Sequence, residues 1–264
     1  MPGQLAADAP AYKRQLLMAN TDGQSPPITF ALDTSSKRAS MAVARGTRLI
    51  ASYQGAADEK RSEKLWAETG FLLGEAGLTI NDIDLFSVCT GPGGFTGLRV
   101  GIAAIKGFAV ANRKRVVGVT SLEAVAFLAA PAEQVFATVN AYKGEVYSQL
   151  FRLDDGSMPV AQEPPAVTIS TKAIERVAHL DKVVFAGEWA IANAEFIRGT
   201  GRSVSTSNRL MAEAVAEVAF RKYARSGGEN PEQLRACYVR VSEAELKLSE
   251  GVLGSKIRRV LEQE

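Results

Sequence analysis

The sequence predicts an α/β fold with two related halves. Short β-type segments alternate with amphipathic helical segments, which is the pattern of a sheet covered by helices. The strand at 30–33 (Phe-Ala-Leu-Asp) has an echo at 136–140 (Phe-Ala-Thr-Val-Asn), and each ends in a short polar side chain before a turn. We therefore expect a weak internal duplication.

In the first half, strands at 28–32, 39–44 and 49–53 form a meander, and Ser62 can cap a helix that Gly77 stops. A further strand at 85–90 leads into a glycine-rich loop. The helix after this loop is expected to start at Thr96 and to end near residue 112.

A strand at 116–119 follows, and the spacing of Thr120 and Glu123 predicts a capping box for the next helix. The second half begins with strands at 135–139 and 145–153. A strand at 183–186 and a helix at 210–225 that ends at two glycines complete it.

Composition excludes several classes of protein. The 264 residues are 46% hydrophobic, which suffices for one large or two modest domains. A net charge of +2 is too mild to argue for nucleic-acid binding by itself. The two cysteines make no disulfide framework, which fits a reducing cytosol. The apolar stretch 100–111 is too short to span a membrane, so we expect a cytoplasmic protein.

Few residues in the sequence suit catalysis. His179 is the only histidine and lies among apolar neighbours, where a packed structural role is favoured. Neither cysteine has a partner at metal-ligand spacing. We therefore assign no catalytic residue and no metal ligand.

A phosphate site is weighed against ordinary turns at two places. The amides of the loop 91–96 could face an anion at a helix start, although the loop is not a P-loop, and a tight structural turn is an equal alternative. For the residues that follow the first strand, a strand-to-turn signal is the favoured alternative. The candidate nucleotide or phosphate contacts are Asp33, Thr34, Ser35, Gly93, Gly94 and Thr96.

The helix after the loop is apolar on two sides. Small residues (Gly97, Gly101) lie on one side and larger ones (Leu98, Ile102, Ile105) on another. Such a helix must pack against its own sheet and a second neighbour, and the sequence leaves open whether that neighbour is another part of the chain or a partner.

Together, the ordered motifs resemble the TsaB (YeaZ) family. The resemblance is dense from 28 to 147 and is carried by 31–35 (Ala-Leu-Asp-Thr-Ser), 61–63 (Arg-Ser-Glu), 91–101 (Gly-Pro-Gly-Gly-Phe-Thr-Gly-Leu-Arg-Val-Gly), 118–123 (Gly-Val-Thr-Ser-Leu-Glu) and 144–147 (Gly-Glu-Val-Tyr), with a late echo at 237–240. Arg61, Gly94 and Asn140 depart from the family's usual histidine, serine and aspartate.

The resemblance implies an actin-like ATPase (ASKHA, sugar-kinase-like) fold of two related lobes. It also implies a non-catalytic subunit that binds a TsaD homologue. With the ATPase TsaE, this subunit would support transfer of threonylcarbamoyl to the adenosine next to the anticodon in tRNAs reading ANN codons. No intrinsic cofactor is expected, while ATP or ADP at the interface with partner subunits stays open. The isolated chain is expected to be a homodimer, and tRNA is expected to be reached through the complex.

Carried over by motif, the expected partner-binding residues lie on the helices that start near 62 and 96. They are Leu65, Trp66, Leu98, Arg99, Ile102 and Ile105. The alternative is a nucleotide-dependent small-molecule enzyme of the same fold.

The sequence also predicts the domain boundaries. These are a flexible N-terminal extension at 1–27, a first lobe at 28–119, a second lobe at 120–242 and a C-terminal tail or helix at 243–264.

Overall fold

The computed structural model describes residues 25–56, 61–141, 144–154 and 157–239, except for the side chains of 61 and 62. The expected tail at 243–264 and all but the last three residues of the expected extension at 1–27 lie outside these ranges. In the described part of the chain, no helix is long and apolar enough to cross a membrane.

Five of the described strands form the first sheet, in the order β3-β2-β1-β4-β5. β1 pairs with β2 and β2 with β3 in antiparallel fashion, whereas β1, β4 and β5 run parallel. Their bounds are β1 Ile28–Asp33, β2 Ser40–Arg45, β3 Arg48–Gln54, β4 Leu85–Cys89 and β5 Arg115–Val119.

The remaining described strands form a second sheet in the order β11-β10-β6-β7-β8, with β9 also paired to β7. β6 and β7 are antiparallel, as are β7 and β9, while β6, β10 and β11 run parallel. Their bounds are β6 Gln134–Ala141, β7 Glu145–Leu153, β8 Pro159–Ala161, β9 Ala166–Ile169, β10 Val184–Ala186 and β11 Ser203–Val204.

The two sheets repeat one topology. β9-β7-β6-β10-β11 corresponds to β3-β2-β1-β4-β5 in both order and strand direction. Asp33 at the end of β1 therefore corresponds to Asn140 near the end of β6. The prediction of an α/β fold with two related lobes is confirmed.

Two helices cover one face of the first sheet. Phe30 and Phe86 on the sheet contact Phe108 on the helix Phe95–Ala111, with ring centroids 6.0 and 5.9 Å from that of Phe108. These side chains are buried together with apolar residues of the second helix, Arg61–Glu75, including Leu72. The described helices are α1 Arg61–Glu75, α2 Phe95–Ala111, α3 Ser121–Leu128, α4 Glu188–Ala192, α5 Ala194–Gly199 and α6 Met211–Ser226.

α6 packs on the opposite face of the first sheet. Its small residues, such as Ala212 and Ala219, lie against small strand residues, such as Ala31 and Ala42. Small side chains on both surfaces allow the helix to approach the sheet closely. The boundary expected from sequence placed all of 120–242 in the second lobe, but α6 returns the chain to the first.

α3 lies at the junction of the lobes. Ala124 and Phe127 pack with α6 against the first sheet, whereas Leu122 and Ala126 pack against the second. One short helix therefore supports both halves of the molecule.

The predicted capping box opens α3. Thr120 Oγ1 accepts a hydrogen bond from the Glu123 amide at 3.1 Å, and the Glu123 carboxylate accepts one from the Thr120 amide at 2.8 Å. Lys222 on α6 contacts the same carboxylate at 2.8 Å.

We expect Thr120→Ala to lower the free energy of unfolding by about 1 kcal/mol, because one amide at the start of α3 loses its acceptor. Urea denaturation followed by circular dichroism measures this loss. The control is Thr171→Ala at an exposed site in the second lobe, which should change stability by less than about 0.5 kcal/mol. Equal losses in the two variants would contradict the role of the cap.

Two other predicted helix starts are wrong. α1 already begins at Arg61, so Ser62 lies inside its first turn. Gly94 is the N-cap of α2 and Thr96 lies in the first turn, because the loop reaches its helical conformation two residues earlier than predicted. The predicted helix ends agree with the structure, since Gly77 and Gly227 both adopt positive φ just after a helix.

Candidate functional site

A cleft of about 1010 Å³ lies between the two lobes. The first lobe contributes the end of β1, the turn after it and the start of α2. The second lobe contributes the end of β6 and the residues Gly187 and Glu188 that follow β10. Loops after the carboxyl ends of parallel strands are the usual ligand position in open α/β sheets.

Five of the six predicted nucleotide or phosphate contacts line this cleft. Gly93 is the exception. The five are Asp33, Thr34, Ser35, Gly94 and Thr96.

Asp33 stabilises the turn that follows β1. Its side chain is 1% exposed, and Oδ1 accepts hydrogen bonds from the Ser35 amide at 2.9 Å and the Ser35 hydroxyl at 2.6 Å. A carboxylate that accepts from the amide two residues later forms an Asx turn. These bonds favour the strand-to-turn interpretation for Oδ1.

The glycine-rich loop packs tightly on the same turn. The Gly94 amide donates to the Ser35 carbonyl at 2.7 Å, and the Thr34 hydroxyl donates to the Gly97 carbonyl at 2.7 Å. A Cβ atom at Gly93 would lie 2.6 Å from the Ser35 oxygen. The lack of a side chain at Gly93 therefore serves close packing between the loop and the first strand.

The wall from the second lobe is polar and internally bonded. The Asn140 side-chain amide donates to the Glu188 carboxylate at 3.3 Å. The Thr138 hydroxyl donates to the Ala186 carbonyl at 2.7 Å. Asn140 departs from the aspartate usual in the family. It is a neutral side chain that is hydrogen-bonded to Glu188, in the segment that follows β10.

Actin-like ATPases use ATP with magnesium, and the cleft can be compared with that requirement. Its lining contains two carboxylates, Asp33 and Glu188, both of which accept hydrogen bonds within the protein. Among the described residues, no group of three or more His, Cys, Asp or Glu side chains could hold a metal ion. Magnesium in nucleotide sites is held by one or two carboxylates together with waters and the phosphates of the nucleotide. The described side chains of the cleft therefore offer no magnesium site built from protein groups alone.

The sequence interpretation missed the cations of the cleft. Lys37 and Arg38 are exposed on the turn after β1, and Arg209 lies near the start of α6. Arg209 is paired with Glu213 and Glu217 at 3.4 and 3.1 Å. The signal available in the sequence was the pair of basic residues only four positions after Asp33.

Neither cysteine is suited to act as a nucleophile. Burial raises the pKa of the Cys89 thiol well above its ordinary value, and the nearby Asp33 carboxylate adds to the effect. Burial and Glu123 raise the pKa of Cys237 in the same direction. Both thiols are therefore protonated at neutral pH, and the thiolate is the reactive form.

The predicted partner-binding residues divide into two groups. Leu65, Leu98, Ile102 and Ile105 are buried in the chain's own core, because the larger apolar face of α2 and the leucine stripe of α1 turn towards the first sheet. Trp66 and Arg99 are exposed. The small face of α2 is also covered, since a Cβ atom at Gly101 would overlap the Thr34 side chain.

His179 is exposed in the second lobe, which corrects the prediction that it is packed. Its apolar neighbours do not enclose it, because the segment forms short turns at the surface.

A different stripe of α2 faces outward. Arg99, Ala103, Gly107 and Val110 are exposed, and Val110 is 61% exposed. On α1, Trp66 is 60% exposed, and its ring lies 4.8 Å from Phe108 of α2 in an edge-to-face contact. We call Trp66, Gly70, Gly74, Gly107 and Val110 the outer helix surface.

The glycines of this surface are in open space. A Cβ atom at Gly70, Gly74 or Gly107 would contact none of the described residues within 4 Å. Glycine inside a helix costs about 0.5–1 kcal/mol relative to alanine. The packing within the described part of the chain gives no reason for three such residues.

The family model described as "tRNA N6-adenosine threonylcarbamoyltransferase" (TsaD) matches residues 42–233. Among curated proteins, the tRNA threonylcarbamoyladenosine biosynthesis protein TsaB of Escherichia coli is 26% identical over 61% of this chain and 68% of its own length. The protein of the same name from Haemophilus influenzae is 33% identical over 47% of this chain and 53% of its own.

A solved structure agrees with these relatives. YeaZ from Pseudomonas aeruginosa superposes with a TM-score of 0.67 and 28% identity, over 80% of this chain and 99% of that one. The structural match therefore spans nearly all of the Pseudomonas YeaZ chain. The sequence alignment with the Haemophilus protein spans about half of that protein.

Proposed function

Because the chain belongs to the TsaB (YeaZ) family, and so to the biosynthesis of threonylcarbamoyladenosine in tRNA, we propose that it acts there as a non-catalytic partner subunit. In this role it binds a TsaD homologue directly. With a TsaE homologue, the complex transfers threonylcarbamoyl to the adenosine next to the anticodon in tRNAs that read ANN codons.

The outer helix surface carries this proposal. Trp66 and Val110 expose large apolar side chains on adjacent helices, and the glycines beside them leave both helix backbones accessible. Small residues allow the backbone of a partner helix to come close, while an exposed tryptophan can anchor an interface. The same surface is our proposed site of self-association when the TsaD homologue is absent, because an exposed apolar patch can pair with its copy around a two-fold axis.

The arrangement of the cleft supports a non-catalytic role. The polar groups at its base, Asp33, Thr34 and Asn140, bond to neighbouring protein groups. These hydrogen bonds hold the turns and loops in place, which is a structural role for all three side chains. ATP or ADP at the interface with the partners is compatible with this arrangement, because the partner can supply the catalytic groups.

The test is a calorimetric titration of this chain with the purified TsaD homologue of the same organism, followed by a tRNA modification assay with and without the chain. We expect a saturable complex and a modification step that requires the chain. Failure of both, together with ATP turnover by the chain alone that Asp33→Asn abolishes, would support the small-molecule enzyme instead.

A further inference from the structure

Two exposed aromatic rings and an arginine meet at the start of α2. Phe95 is 39% exposed and Tyr238 is 50% exposed, and their ring centroids are 5.3 Å apart. The Arg99 guanidinium lies 3.7 Å from the centroid of the Phe95 ring, and its Nε donates to the Tyr238 hydroxyl at 3.4 Å. We call Phe95, Arg99 and Tyr238 the aromatic–arginine platform.

The platform is held in place from both sides. Phe95 is the first residue of α2, whose N-cap Gly94 is bonded to the turn after β1. Tyr238 follows Cys237, whose amide donates to the Thr90 carbonyl at 2.8 Å. Four residues before Tyr238, Leu234 is buried in the core of the first lobe. The rings are therefore presented on a fixed backbone.

The surroundings of the platform favour an anion. Gly94 offers no side chain to cap α2, and the first turn of this 17-residue helix contains no acidic residue. The N-terminus of a helix carries a partial positive charge. Lys37 and Arg38 are exposed on the adjoining turn and line the same cleft as Phe95.

The platform lies away from the outer helix surface. Arg99 of the platform and Gly107 of the outer helix surface are separated by eight positions on α2. At a rise of 1.5 Å per residue, this separation is about 12 Å along the helix. A partner on the outer helix surface can thus leave the platform accessible, which assigns Arg99 to the platform rather than to the centre of that interface.

We propose that the aromatic–arginine platform binds a single-stranded segment of RNA. Because the Arg99 guanidinium covers one face of the Phe95 ring, one base stacks on the exposed side of the Phe95 and Tyr238 rings that Arg99 leaves open, and its phosphates face Arg99, Lys37 and the start of α2. Unpaired bases stack on aromatic side chains and arginine planes in RNA-binding proteins. Arg99 and Tyr238 are not among the residues that line the cleft, so this side of the platform is open and suits a polymer that continues across the surface. The biological meaning of this site rests on the proposed function, since tRNA supplies such a segment in its anticodon loop.

The test uses the full chain and a fluorescein-labelled RNA hairpin with a seven-nucleotide single-stranded loop, followed by fluorescence anisotropy. We expect binding that weakens as salt is raised, because phosphate contacts release counterions. Phe95→Ala should weaken it about 10-fold, and Phe95→Tyr should restore it. Phe196→Ala, at a 61% exposed aromatic of the second lobe, is the matched control and should change the dissociation constant less than twofold.

Several outcomes would overturn the proposal. One is the absence of RNA binding by the chain, and another is equal binding by wild type and Phe95→Leu, which keeps an apolar contact but removes the stacking ring. A third is displacement of the hairpin by AMP at concentrations comparable to the RNA, which would indicate a site for a free nucleotide. Loss of binding to the TsaD homologue in Phe95→Ala, with RNA binding unchanged, would assign the platform to a protein partner.

This test is independent of the proposed function. RNA binding is measured on the chain alone, whereas the partner role is measured by titration with the TsaD homologue. A complex that forms without RNA binding by the chain overturns only the platform, and RNA binding without a complex overturns only the partner role.

Discussion

The Gly187→Ala variant is expected to lose about 4 kcal/mol of unfolding free energy, or to fail to fold. Gly187 has φ 102° and ψ 175°, a region of backbone conformation that is nearly restricted to glycine and costs other residues about 1–3 kcal/mol. An added Cβ atom would also overlap the carbonyl oxygen of Thr138, which belongs to the backbone of β6. The overlap can be relieved only by moving a central strand of the second sheet.

Two glycine controls separate these effects. Gly201 has φ 79° with nothing within 4 Å of its Cβ position, so Gly201→Ala should cost about 1–2 kcal/mol from the backbone alone. Gly74 lies inside α1 in open space, and Gly74→Ala should raise stability by up to about 1 kcal/mol. Urea denaturation followed by circular dichroism ranks the three. A Gly187→Ala loss no larger than that of Gly201→Ala would refute the contact with Thr138.

The sequence was informative where local chemistry decides the structure. The capping box of Thr120 and Glu123 and the glycine stop at Gly227 each depend on residues within one helical turn, and both were predicted correctly. The caps proposed at Ser62 and Thr96 failed because a hydroxyl near a helix start does not determine which residue first becomes helical. Gly94 precedes α2 and is held by a hydrogen bond from its amide to the carbonyl of Ser35, which lies 59 positions away in the sequence.

The sequence was less informative about which helix face meets which neighbour. Periodicity showed that α2 has a small side and a larger apolar side, but the structure buries both within the chain, one at Gly101 against Thr34 and the other at Ile105 in the core. The exposed stripe is a third one. The sequence feature that indicates this exposed stripe is Gly107. A glycine inside a long helix is unfavourable, and this one packs against none of the described residues.

The return of α6 to the first lobe could not be read from the sequence either. Hydrophobic periodicity predicts that a helix has an apolar face, and both sheets offered apolar surfaces to cover. The small size of Ala31 and Ala42 matches the alanines of α6, and this match of shapes exists only in three dimensions. A similar limit applies to the cleft, where Lys37 and Glu188 come from opposite lobes.

The second large effect is expected at the outer helix surface. Gly107→Glu should weaken binding to the TsaD homologue at least 100-fold, because a charged side chain would be buried where the backbone of α2 is closely approached. The same change should leave the folded monomer as stable or more stable by up to about 1 kcal/mol, because glutamate favours a helix more than glycine does. Gly107 has open space around its Cβ position, so the free chain meets no clash.

Because Gly107→Glu is expected to weaken binding without lowering the stability of the folded monomer, it is more informative than a substitution in the core. Ile102 is one of the partner-binding residues expected from the sequence. It is 9% exposed, so Ile102→Glu would destabilise the core and confuse loss of folding with loss of binding. Gly107→Glu avoids this problem because the folded monomer leaves the charge in water, and only a complex with the TsaD homologue or with a second copy of the chain buries it.

The matched control is Gly199→Glu, at the end of α5 in the second lobe, where an added side chain also meets open space. It adds the same charge away from the outer helix surface and should leave the affinity within about twofold. Calorimetric titration measures the affinity, and light scattering measures self-association of the free chain. If Gly107→Glu bound the TsaD homologue as tightly as Gly199→Glu, the exposed glycines and Trp66 would need another explanation, and the partner would have to contact a different face.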